Sequence, residues 1–228
     1  MKLASILLFL ISFQLMANSD FDKAEKLFKQ NKFEEAKTLF ELYLKGSPNH
    51  TKTIEYLGDI AGKKKDWDVA ITYYEKIKNQ YPKNAVYQYK YGGALGMKAK
   101  ETNKFKALNM IGDVEGAFLL AAKLDLKYID ARWALVMLYV ELPGIVGGSE
   151  IKAQKYADEL MALSKVDGFM AKGYIDEYFK RFTKSEANYK KAFEIGNSKT
   201  TYEKLYNLYV NKMKDNAKAL KLKTEFEN

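Results

Sequence analysis

Small, aromatic and proline positions recur along this chain at an interval of 34 residues. Ala36, Phe40 and Pro48 are matched by Ala70, Tyr74 and Pro82, and Leu57-Gly58 is matched by Tyr91-Gly92. A stack of helix-turn-helix units needs this arrangement, because each small residue lets two helices approach and each aromatic fills the gap beside it. The pattern therefore predicts an all-α fold of successive helix pairs. Asp66 stands where a side chain would accept from the free amides at the start of a second helix.

The segment Ile54 to Asn84, "IEYLGDIAGKKKDWDVAITYYEKIKNQYPKN", resembles one near-complete unit of the tetratricopeptide repeat (TPR) family. Leu57-Gly58 matches the family's leucine-glycine pair, Ala70 its small residue in the second helix, Tyr74 the large residue a turn later and Pro82 the closing proline. Ala61 departs from the family, which usually has tyrosine there. Phe33 to His50 carries a second match, strong in its second helix. The resemblance implies a right-handed superhelix, an α-solenoid of about five to six TPR-like helix pairs. It implies a binding scaffold without naming a ligand, since fold alone assigns no chemistry.

Further units follow with less regular spacing. The third opens with "AVYQYKYGGALGMKA", but "KETNKFKALNMIGD" intervenes before the helical pattern resumes at Val114. Phe105, Leu108, Met110 and Ile111 in that segment predict an insertion, a turn or short helix burying an apolar edge, with a lid over one groove as the alternative. Gly173 and Tyr189-x-x-Ala192 fit a fifth pair. Tyr206 to Val210 and Ala219 fit a sixth, with Ala219, Leu222 and Phe226 as the apolar stripe of a closing helix.

The fourth unit contains the loop Pro143, Gly144, Ile145, Val146, Gly147, Gly148, Ser149. Pro143 ends the preceding helix, the glycines permit unusual backbone angles, and Ser149 caps the next helix. Ile145 and Val146 are expected to tuck into a neighbouring helix pair. The loop resembles a Pro-Gly-x-x-Gly-Gly segment seen in a group of exported bacterial TPR proteins. A Gly-Gly-Ser at a helix start can attract anions. A nucleotide loop also needs a preceding strand and a lysine-threonine pair or a longer glycine pattern, which are missing, so a structural turn is expected.

The N-terminus changes the picture. Lys2, the apolar stretch from Leu3 to Leu15 and the small residue Ala17 form a secretory signal peptide pattern, so residues 1–17 are set apart from an 18–228 solenoid domain. The mature chain is expected to be periplasmic or secreted. The apolar stretch is short of the roughly 20 residues of a membrane-spanning helix, and no later segment is long enough to span. With no Cys there is no lipid-modified cysteine, disulfide or thiolate metal site.

Net charge is +9, carried almost wholly by Lys, with Arg132 and Arg181 the only arginines. That balance argues against sequence-specific nucleic-acid recognition, which leans on arginine. A single histidine, His50, excludes a zinc site of ordinary composition and a histidine-centred catalytic array. Paired acids such as Glu34-Glu35 read as solvated helix positions. No catalytic residue, metal or cofactor is therefore assigned, and recognition remains. The family's groove positions, transferred onto this chain, are Phe28, Glu55, Asp59, Tyr89, Gly93, Tyr174 and Tyr178. Aromatic side chains with polar tips there suit a peptide or protein partner, with a small lipophilic or anionic ligand as the alternative.

Overall fold

The computed structural model describes residues 20–227, which contain twelve helices and no strand. The signal-peptide reading and the expected mature start near Asn18 lie outside the described residues. The helices are α1 (20–29), α2 (Phe33–Gly46), α3 (Thr51–Lys63), α4 (Trp67–Gln80), α5 (Ala85–Glu101), α6 (Lys104–Leu124), α7 (Ile129–Glu141), α8 (Glu150–Leu163), α9 (Lys165–Tyr178), α10 (Phe182–Gly196), α11 (Lys199–Asn207) and α12 (Asn216–Glu227). A 3-10 turn (Gly144–Val146) precedes α8, and a π turn (Leu208–Met213) continues α11. They fall into two compact units, one ending at Met110 and the other beginning at Ile111.

The fourth residue of five of the six even-numbered helices, all but α6, explains why they pair. Ala36, Ala70, Ala153 and Ser185 hold that position and are fully buried, and Ala219 is nearly so. A small side chain there lets the partner helix approach closely. Serine fits in α10 because its hydroxyl donates to the Gly173 carbonyl at 2.9 Å. Glycines on the facing helices complete the contact. A Cβ at Gly58 would stand 2.6 Å from the Tyr74 ring, and one at Gly173 would stand 2.4 Å from the Tyr189 ring.

The turns within four of the six pairs share one geometry. Asn31, Lys65, Lys180 and Lys214 adopt left-handed backbone angles, with φ of 60°, 60°, 60° and 57°. The amide one residue further on then donates back to Leu27, Ala61, Asp176 and Tyr209 respectively, satisfying a helix-end carbonyl. Glycine is the usual occupant of such a position, so three lysines there carry a backbone cost.

Several caps match the sequence reading. Asp66 accepts from the Val69 amide and Ser149 from the Lys152 amide. His50 caps α3, its Nδ1 accepting from the Thr53 amide at 3.3 Å. The closing helix buries Ala219 and Leu222, while Phe226 stacks on Tyr202 at 4.3 Å between ring centres.

Two expectations are corrected. The extra residues of the third pair are present, but as helix: Asn103 caps through Lys106, and α6 runs unbroken for 21 residues. Its start is open, since Phe105 is 84% and Leu108 46% exposed, and of the expected apolar residues only Met110 and Ile111 further on are half-buried. Ile145 likewise is not tucked away but 96% exposed, with Val146 half-buried. Backbone bonds alone close that loop, with Gly148 N–H donating to Pro143 and Gly147 N–H to Gly144, so no side chain has to anchor it. Gly147 has φ 103°, and a Cβ at Gly148 would overlap the Leu142 carbonyl.

Candidate functional site

In the first unit α1, α3 and α5 lie side by side, tied by polar side chains one repeat apart. Tyr56 of α3 donates to Glu25 of α1 at 2.6 Å. Lys90 of α5 reaches back to α3 and binds Glu55 at 2.7 Å and Asp59 at 2.6 Å. Asp59 also accepts from the Tyr74 hydroxyl at 2.7 Å, and Glu55 pairs with Lys52 at 3.1 Å. Burial opposes ionisation of Glu55, but the bonds and charge of Lys90 and Lys52 outweigh it and hold the carboxyl below its ordinary range. Burial, the charge of Asp59 and its hydrogen bond raise the Tyr74 phenol, which stays a neutral donor.

Of the expected groove residues, Glu55 and Asp59 are thus joined by Lys90. Phe28 instead packs, its ring 4.7 Å from Tyr56 and 5.6 Å from Phe33. Tyr89 is half-buried on α5. Gly93, one turn later on the same helix, leaves open space: a Cβ there would meet nothing within 4 Å.

The second unit repeats this scheme with other residues. Tyr174 of α9 donates to Glu141 of α7 at 2.9 Å, and Trp133 of α7 donates to Asp167 of α9 at 2.8 Å. Lys204 of α11 lies 5.9 Å from the centre of the Tyr174 ring. Tyr178, a helical turn beyond Tyr174, is 48% exposed and meets Phe179 edge-on at 5.3 Å. Burial and Glu141 raise the Tyr174 phenol, so it too remains a neutral donor.

Lys90, Glu141, Tyr56 and Lys204 were not singled out from sequence. A signal for three of them existed, since Glu25 and Tyr56, Asp59 and Lys90, and Glu141 and Tyr174 are complementary polar residues spaced by about one repeat. Among the described residues no cluster of three or more His, Cys, Asp or Glu could hold a metal. A shallow, open depression of about 810 Å³ runs along α8 between Glu150 and Glu159 and is lined by that helix alone.

Paired helices with small fourth residues and polar ties one repeat apart define a helical-repeat scaffold, and solved structures fix its type. TTC0263, a thermophilic TPR protein from Thermus thermophilus, superposes with a TM-score of 0.66 at 16% identity, over 90% of this chain and 98% of that one. PilW, a type IV pilus biogenesis factor, gives 0.68 at 14% identity over 93% and 92%. YrrB, described as a TPR protein with an unusual peptide-binding site, gives 0.55 at 16% identity over 80% and 87%. The chain has the tetratricopeptide-type fold. It matches no family model and no curated protein.

Proposed function

We propose that this chain is a non-catalytic scaffold that holds extended segments of a partner protein against the odd-numbered helices within each of its units. The observation that carries this reading is the row Glu55, Lys90, Asp59 beside the open space at Gly93, together with the exposed Tyr178 beyond Tyr174. Fixed charges and amphipathic rings on rigid helices offer directional contacts with little ordering cost. A similar fold is described as peptide-binding in YrrB, which supports the class of ligand. The depression on α8 is open and lined by a single helix, so it does not supply the enclosed apolar cavity that a small lipophilic ligand calls for. We also propose that the scaffold works outside the cytoplasm, on the strength of the Lys2 to Ala17 pattern.

Site-specific photocrosslinking in the native host tests the groove. A photoreactive residue at Gly93 or Tyr178 should give discrete adducts with a partner protein, and one at Glu75, exposed on α4, should not. Equal adducts from all three positions, or adducts from Glu75 alone, would refute groove binding. Intact mass of the same protein checks export: retention of Met1 in a cytosolic fraction would overturn it.

A further inference from the structure

The second unit carries a further surface that borders its groove residues Tyr174 and Tyr178, at the edge where its odd helices turn into its even ones. Three connectors meet there: the Pro143–Ser149 loop, the Phe179–Arg181 turn and the Leu208–Asp215 segment. Arg181 ties the first two, binding Glu150 at 2.6 Å and Asp176 at 2.7 Å. Glu186 ties the third to the start of α10, accepting from Tyr209 at 3.0 Å and pairing with Lys218 at 3.0 Å.

This edge has an unbalanced charge. Its carboxylates are paired: Glu141 accepts from Tyr174, Glu177 from Tyr189, Asp176 and Glu150 from Arg181, Glu186 from Tyr209, Lys190 and Lys218, and Asp215 pairs with Lys218 at 3.9 Å. Lys180, Lys184, Lys212 and Lys214 are exposed and make no ion pair among the described residues. Two of them, Lys180 and Lys214, occupy left-handed positions that glycine would fill at lower cost. The connectors tied by Arg181 also carry exposed apolar groups. Ile145 is 96% exposed at the tip of a loop held rigid by its own backbone bonds, Ile151 is 84% exposed on the first turn of α8, and Phe179 is covered on one side by Arg181 at 5.0 Å.

We propose that this edge docks on an anionic lipid bilayer surface. Four exposed lysines on or beside two connectors of one edge are complementary to anionic headgroups, each contributing a factor of about five to partitioning. Ile145 projects from the edge as a tip, not a pocket, and a deformable bilayer can bury such a tip without a matching cavity. No helix among the described residues is long and apolar enough to cross a membrane, so the association is superficial. The scaffold's groove helices would then face a partner while the edge is held at the surface.

Vesicle co-sedimentation of the full chain tests this, using phosphatidylcholine vesicles with and without phosphatidylglycerol. Because Leu3 to Leu15 can itself bind any bilayer, the readout is the preference for anionic over neutral vesicles. The wild type should show a preference of about tenfold or more that falls as salt rises. Ile145→Ser with Ile151→Ser should lower binding to anionic vesicles about tenfold, and Lys180→Glu with Lys184→Glu should remove the preference. Circular dichroism checks each fold, and if the double isoleucine variant unfolds, Ile145→Ser alone carries the test. No anionic preference in the wild type overturns the proposal. So does an isoleucine variant that binds anionic vesicles as strongly as the wild type, because the tip would then not enter the bilayer.

Discussion

Replacing Gly173 by alanine probes the packing rule on which the fold reading rests. The added Cβ would lie 2.4 Å from both Cδ1 and Cε1 of Tyr189, inside any tolerable contact distance. Tyr189 cannot easily retreat, because it is fully buried and its hydroxyl donates to Glu177 at 2.9 Å. Gly173 is also fixed from the other side, its carbonyl accepting from Ser185. Overpacking of this kind costs about 1–3 kcal/mol. Against it stands a gain of about 1 kcal/mol, because alanine is the better helix former. With two ring atoms overlapped, the upper half of the cost range applies and the net loss is about 1–2 kcal/mol, or roughly 2–8 °C in Tm for a chain of this size. Gly93→Ala supplies the control. Its Cβ meets nothing, so only the propensity term remains and stability should rise by about 0.5–1 kcal/mol. Thermal melting and urea titration of both variants give the comparison. A Gly173→Ala protein as stable as the wild type, or one that responds like Gly93→Ala, would show that the Gly173 and Tyr189 contact does not hold α9 against α10.

Lys90→Met should destabilise by about 1–3 kcal/mol at neutral pH, because Glu55 and Asp59 lose the cation that offsets their burial. The native carboxyl of Glu55 is held below its ordinary value of 4.5, so the pair's contribution is present above about pH 4.5 and lost as pH falls through the native pKa. The gap between wild type and variant in urea titrations should therefore shrink in acid, and a gap independent of pH would contradict the assignment. His50 titrates in a second window. Burial lowers its pKa below 6.5, so its contribution is full above that value and declines as pH drops below it toward the native pKa, as protonation of Nδ1 breaks the cap on Thr53. His50→Asn keeps a cap without the titration and should flatten the fall in Tm between about pH 7 and pH 5. Equal slopes for the two proteins would show that the ring is not the cap.

The fold was legible because its determinants are local and repeated. Ala36 and Ala70 mark the close approach, Gly58 and Gly173 face tyrosines sixteen residues later, and Asp66 and Ser149 cap the helices that follow them. Two features were hidden for identifiable reasons. The apolar residues from Phe105 to Ile111 have helical spacing whether they form a separate element or the first turns of α6, and only the cap at Asn103 separates the two outcomes. Ile145 reads as buried because it is apolar, yet backbone bonds from Val146, Gly147 and Gly148 close its loop without burying a side chain. The candidate groove was legible in part. Glu55 and Asp59 were placed from their register, whereas the cation between them and the Glu141 acceptor of Tyr174 come from neighbouring repeats and need the stacking of helices to be seen. Phe28 shows the converse, since its groove register is occupied by a ring that packs on Tyr56 and Phe33.

The central claim, a partner held against the odd-numbered helices within each unit, is tested most directly by titrating the crosslinked partner segment into wild type and a Tyr174→Ala, Tyr178→Ala variant, with melting of each protein alongside. Tyr178 is 48% exposed and Tyr174 half-buried, so the variant should lose modest stability, mainly through Tyr174 and its bond to Glu141. Binding should weaken by about thirtyfold or more, the loss expected when an aromatic contact contributing about 2 kcal/mol is removed. Unchanged affinity in a folded variant would contradict the account, because Tyr174 and Tyr178 would then have no part in holding the partner.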